Sequence, residues 1–244
     1  MHCPCVRGET QLDMMTRRGD YNGLALLEEL ARDALRLSSW PGVGEIEYVH
    51  YLADYKTTAS MLVDSQLQPM WTGVEHCEVR SWFAPDGTRA MLQTRDGRSG
   101  PGNGVHPPGT GAPPAVFDAA SPLAVIDTES SLAILTSTAT HWMSRLLPPM
   151  VISAVLAELA TPPEVSVEST RDYGWQTVAI TATGRRYGHP EKCTLTLDSQ
   201  SLLPVSESVF EPAPGADDES EWSMVASVTW IELSHVHALP EARW

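Results

Sequence analysis

The chain has 244 residues, of which 42% are hydrophobic and 19% charged; this is enough to bury a full core without disulfide or metal staples, and it excludes wholesale disorder. With 16 basic against 31 acidic residues the formal charge is −15, and the densest basic groups are the pairs Arg17-Arg18 and Arg185-Arg186, so a nucleic-acid partner is excluded by repulsion of its phosphates. The longest apolar stretch, Leu146 to Ala160, is broken by Pro148, Pro149 and Glu158 and falls short of the roughly 20 residues that span a bilayer, so no transmembrane segment is expected.

In chain order, residues 1–23 read as a flexible N-terminal segment in which no apolar run follows a basic start, so no secretory signal is read. His2, Cys3 and Cys5 lie together, but a structural metal site usually takes two such pairs, and neither metal nor cofactor is assigned. Whether Cys77 and Cys193 pair is left open by sequence. Leu24, Leu27, Leu30, Ala31, Ala34 and Leu37 recur every three or four residues, which predicts an amphipathic helix over Leu24 to Ser38, stopped by Trp40-Pro41-Gly42. Tyr and Val enrichment then predicts a strand from Glu45 to Tyr55.

In Glu75 to Ala84, Cys77, Val79 and Phe83 alternate with His76, Glu78, Arg80 and Trp82, so the two sets face opposite ways. Pro85-Asp86-Gly87 turns the chain into a partner strand at Met91 to Thr94. Gly and Pro crowd Arg98 to Pro114, which reads as a long exposed loop. Asp127 or Thr128 can cap a short helix through Leu135, and Ala139 to Leu147 continues helical until Pro148. Pro149 opens another helix, whose stripe of Val151, Ile152, Val155, Leu156 and Leu159 ends at Pro162-Pro163.

From there the pattern is all strand: Val165 to Thr170, Trp175 to Ala182, Lys192 to Leu197, Leu203 to Glu211 and Trp222 to Ser234. Consecutive hairpins make an antiparallel meander, and without regular strand-helix alternation the expected class is α+β. One domain is read over 24–237, followed by a tail over 238–244.

Several of these segments carry a resemblance. Leu195-Thr196-Leu197-Asp198, a tight turn and Leu202-Leu203-Pro204-Val205 resemble the lipoprotein-carrier half-barrels of LolA, LppX and RseB type. Leu147-Pro148-Pro149 through Ala154, Leu156 and Leu159, then Pro163-Glu164-Val165 and Asp172-Tyr173-Gly174, with Trp82 and Asp86-Gly87, look like an actinobacterial family of membrane-anchored ectodomains. The resemblance implies a large curved antiparallel sheet with helices packed against its concave face, and the extracytoplasmic side of the cell envelope. It brings no catalytic residues, because its motifs are turns and core positions. Members of that family carry an N-terminal membrane anchor, and this chain departs from them in showing none before Leu24.

Gly100-Pro101-Gly102-Asn103-Gly104 has no strand before it and no helix after it, unlike a phosphate-binding loop, and no Gly-x-Ser-x-Gly elbow occurs. His235 and His237 share a strand face but lack an identifiable third ligand, and Asp217-Asp218 with Glu219 and Glu221 does not space ligands as a calcium loop does. The chain is therefore expected not to be an enzyme. Eight Trp against three Phe point to core packing or to a cavity lining, and under the latter reading Trp82, Trp142, Trp175 and Trp230 would line a groove between sheet and helices. Burying about ten methylenes there is worth roughly 8 kcal/mol gross, so a lipid or lipoprotein segment needs no polar motif to bind. The expected function is a non-catalytic binding or sensing domain for an apolar ligand or lipidated segment. The alternative is a protein-interaction or regulatory module with a filled core, reaching a protein partner through an edge strand or the Arg98 to Pro114 loop.

Overall fold

A computed structural model describes residues 11–37, 40, 42, 44–63, 66–110, 117–172, 175–213 and 221–240. Helix α1 (Gln11–Ala34) is followed by β1 (Ile46–Val63), β2 (Gln66–Phe83), β3 (Arg89–Arg95), β4 (Arg98–Ser99) and β5 (Gly104–His106). Helices α2 (Ser131–Ser144) and α3 (Pro149–Leu159) come next, and the chain closes with β6 (Val165–Asp172), β7 (Trp175–Arg186), β8 (His189–Asp198), β9 (Pro204–Pro212) and β10 (Trp222–Val236). No helix among the described residues is long and apolar enough to cross a membrane.

The strands form one open antiparallel sheet in the order β4-β3-β2-β1-β10-β9-β8-β7-β6, with β5 also pairing β3. The meander from β6 to β10 therefore docks its last strand on β1, and the two halves of the sequence join at the β1–β10 seam. This is the sheet-dominated α+β arrangement expected from the hairpin pattern.

Several boundaries move, each for a local reason. Helix α1 begins at Gln11, well before Leu24, so part of the segment read as flexible is helical. Its approach to the sheet depends on Gly23, where a Cβ would stand 2.9 Å from the Cβ of Val167 on β6. Strands β1 and β2 continue far past Tyr55 and before Glu75 as one long hairpin, paired from Glu47↔Phe83 to Val63↔Gln66 with a bulge at Ala59/Ser60. That extension is built by pairing, with little apolar alternation to announce it.

Helix α2 starts after Ser130 rather than at Asp127 or Thr128, and runs without a break into the stretch expected to continue helical. Ser130 caps it, its Oγ accepting from the Ala133 N–H at 3.1 Å. Thr136 and Thr140 stay helical by donating to the Leu132 and Thr136 carbonyls at 3.0 and 2.8 Å, which satisfies hydroxyls that would otherwise compete with the helix. The Arg98 to Pro114 stretch is also more ordered than a loop through its described part. Asn103 acts as a surrogate strand for β3: its Oδ1 accepts from the Gln93 N–H at 2.6 Å, and its Nδ2 donates to the Gln93 carbonyl at 2.9 Å. Residues 111–116 lie outside the described residues.

Helices α1 and α2 pack on one face of the sheet, and α3 packs against both of them. Leu27, Leu30, Leu135, Trp142, Leu147, Ile152 and Leu156 from the helical side join Val49, Ala53, Val178, Ile180, Leu195, Val228 and Trp230 from the strands in one core cluster. Two polar fastenings hold this layer. Arg145, at the end of α2, grips Glu47 of β1 through Nη2–Oε1 at 2.7 Å and Nε–Oε2 at 3.2 Å, and Glu47 Oε2 also accepts the Leu146 N–H. The Trp40 Nε1 donates to the Leu147 carbonyl at 2.7 Å, tying the segment after α1 to the α2–α3 connection.

Candidate functional site

Strand alternation assigns every sheet residue to the covered or the open face. On β2, Cys77, Val79 and Ser81 are buried on one face, while His76 and Arg80 are exposed on the other. Cross-strand pairing extends the covered row from Cys77 through Ala53 and Val228 to Glu207, Leu195 and Ile180. Glu207 is thus a carboxyl set among core positions, and it is only 6% exposed.

Its surroundings are poorly suited to a charge. Cys193, also fully buried, donates its thiol to Glu207 Oε1 at 3.6 Å, a weak bond. Burial pushes the Glu207 carboxyl up to about 7 and Glu191 adds to the rise, while the Cys193 thiol and Arg186 restrain it. Burial also drives the Cys193 thiol well above its ordinary range, so it is not a nucleophile at neutral pH. Arg186 Nη1 stands 3.7 Å from Glu191 Oε1, an ion-pair distance beyond hydrogen-bond reach, and that oxygen has no hydrogen-bond partner among the described residues.

Three further polar atoms on this side are buried without a hydrogen-bond partner among the described residues: Thr138 Oγ1 and Trp142 Nε1 on α2, and Trp230 Nε1 on β10. Thr138 and Trp142 are one turn apart, so they share a helix face. Buried indole N–H groups normally find an acceptor, and leaving one unmade costs about 1 to 3 kcal/mol. On the other flank of α2, away from Thr138 and Trp142, a pocket of about 340 Å³ opens, lined in part by Thr136, Thr140, His141, Arg186 and Tyr187. Arg186 therefore connects open space with the edge of the acid cluster.

The open face has the opposite character. His50 Nε2 and Glu78 Oε1 meet at 3.0 Å, Arg80 Nη2 reaches the same oxygen at 2.7 Å, and His76 Nδ1 meets Asp54 Oδ1 at 2.7 Å. Tyr48 stacks at a tilt on Trp82, ring centroids 5.0 Å apart. A pocket of about 280 Å³ on the sheet is lined by residues that include Asp54, Lys56, Val74, Met224 and Ser227.

The four tryptophans expected to line a groove do not share one surface. Trp142 and Trp230 enter the core beneath the helices, Trp82 lies on the open face against Tyr48, and the Trp175 side chain falls outside the described residues. For Trp82 the strand alternation already implied this, because it shares parity with His76, Glu78 and Arg80. Cys77 and Cys193 are both buried free thiols. His235 pairs with Glu47 on the β1 seam, and no group of three His, Cys, Asp or Glu residues able to hold a metal forms among the described residues.

Neither a protein-family model nor a curated protein matches this chain. What the chain does is therefore argued from its own geometry. Glu207 is the feature that sequence reading passed over. A signal existed: on β9 it has the parity of Val209, which packs against the core, so a strand with one apolar face puts this acid on the apolar side.

Proposed function

We propose that the chain is a non-catalytic binding or sensing domain of the lipoprotein-carrier half-barrel type, its sheet curved around the helices and its ligand held between α2 and the sheet. The observation that carries this reading is the pair of indole N–H groups, from Trp142 and Trp230, that enter the core without an acceptor among the described residues. An acyl ligand offers an apolar body for the Leu-rich surroundings and an ester or carbonyl oxygen for the indoles, relieving about 1 to 3 kcal/mol at each N–H. Placement on the extracytoplasmic face of the envelope belongs to the same proposal.

Native mass spectrometry of the purified chain, together with titration of a fluorescent acyl probe excited by energy transfer from Trp, tests it. A co-purified lipid or saturable binding, weakened about five- to tenfold in Trp230→Phe by loss of one hydrogen bond, is the expected result. A bare mass and no saturable binding would sink the idea.

A second reading, a protein-interaction module with a filled core, is favoured by the continuity of that core: Trp142 is 1% exposed, and the helical and strand residues around it form one cluster. Under it the partner is reached through the β6 edge or the tip of the 98–114 segment. Replacing residues 107–114 by a short Gly-Ser bridge, which leaves β4 and β5 in place, then abolishes capture of a partner without changing the circular dichroism. An unchanged partner set counts against it.

A further inference from the structure

We propose that Glu207 is a proton-operated latch on α2: with its carboxyl protonated the helix stays packed on β8 and β9, and with the carboxyl ionised the helix lifts from that part of the sheet. The consequence for binding rests on the reading above, since lifting α2 opens the space between helix and sheet. The latch itself follows from what surrounds the acid.

Glu207 is bracketed across the strands by Leu195 and Val228, both core residues. Among the described residues, the charged and titratable groups that face it are few. Strand β8 brings Cys193 and Glu191, β7 brings Arg186, and β1 brings Tyr55, a neutral hydroxyl that burial pushes still further above its ordinary range. Strand β10 brings Val228, and the only titratable residue of α2, His141, places its Nε2 2.7 Å from the Val125 carbonyl.

A neutral carboxyl fits this place, with the thiol as a weak donor. An ionised one does not. Arg186 is drawn to Glu191 at 3.7 Å and lies over the Tyr187 ring at 5.6 Å, so its charge is shared before Glu207 claims any of it. Glu191 adds a second negative charge with one oxygen already lacking a hydrogen bond. A buried carboxylate with no committed cation among the described residues is relieved by reaching water, and α2 is the helix that packs over β8 and β9 on this face.

Burial thus raises the folded-state titration of this group, to about 7, above its ordinary 4.5. For an acid, the packed state is then favoured below 4.5, and that preference is lost as pH rises to about 7. Opening grows with pH across this window and levels off above it.

Hydrogen exchange on the intact chain tests the latch without any ligand. After correction for intrinsic rates, the amides of α2 are expected to exchange roughly tenfold faster at about pH 8 than at about pH 6, and Glu207→Gln is expected to remove the difference. Equal protection at both pH values in the unmodified chain, or a pH dependence that survives in Glu207→Gln, overturns the proposal. If the variant does not fold, the Glu207 side-chain carbon of the unmodified chain is followed by NMR: a midpoint near 7 supports the latch, and one below about 5 overturns it. An acyl probe that fails to bind at either pH, while the exchange difference persists, defeats the ligand reading alone.

Discussion

Asp54 and His76 meet at 2.7 Å across β1 and β2, and Glu78 gathers both His50 and Arg80, whereas on the other side of the sheet Glu207, Trp142, Trp230 and Thr138 are buried with weak partners or none among the described residues. The open face lets water and long side chains correct any mismatch, so its polar groups reach good geometry at little cost. The covered face is fixed by helix packing, and a polar atom there must be satisfied by whatever the fold happens to bring. Orphaned groups on the covered side therefore carry information about function that the well-paired open side does not.

This contrast can be broken in several ways. The largest effect is expected at Trp142: Trp142→Ala should lower the unfolding free energy by about 4 kcal/mol in chemical denaturation, and Trp82→Ala by about 1 kcal/mol, because only the former empties a fully buried site. Equal losses would erase the distinction between the faces.

Next is Glu207→Gln. The folded-state midpoint of about 7 against an ordinary 4.5 implies a penalty of about 3 kcal/mol when the carboxylate is ionised, so the variant should be more stable by up to that amount at about pH 8. The advantage should shrink through the window and vanish below pH 4.5, where both states are protonated. Urea midpoints that do not depend on pH in this way would show that Glu207 reaches water in the folded chain.

Glu47→Ala removes the fastening of α2 to β1 and should cost about 2 kcal/mol, with Arg145 left without its carboxylate. A loss as small as that of a surface pair would mean that α2 is held by apolar contact alone. The smallest effect is on the open face: the His76 imidazole, lifted above its ordinary titration by its hydrogen bond to Asp54, should fall back in Asp54→Asn when followed by proton NMR. No change would mean that even the exposed pair is not formed in solution.

Much of this architecture was legible residue by residue. Proline placed the start of α3, the stripe of Leu and Ala placed the face of α1, and the alternation around Cys77 and Val79 sorted β2 correctly enough to set Trp82 apart from the core. How the threonines of α2 are accommodated was not legible, because their hydroxyls had to be seen bonding back to the helix. The far half of the β1–β2 hairpin was hidden because each strand supplies the other's pattern.

By itself the sequence determined the α+β class, the antiparallel meander and which strand faces are apolar, because these follow from local periodicity and turn chemistry. Tertiary structure alone decided that β10 closes on β1, that Glu207 and Cys193 become neighbours under α2, and that the indoles of Trp142 and Trp230 end without acceptors among the described residues. The physical reason is that burial and partnership belong to the assembled layers: a carboxyl has its ordinary chemistry on an isolated strand, and loses it only when a helix from elsewhere in the chain excludes water from it.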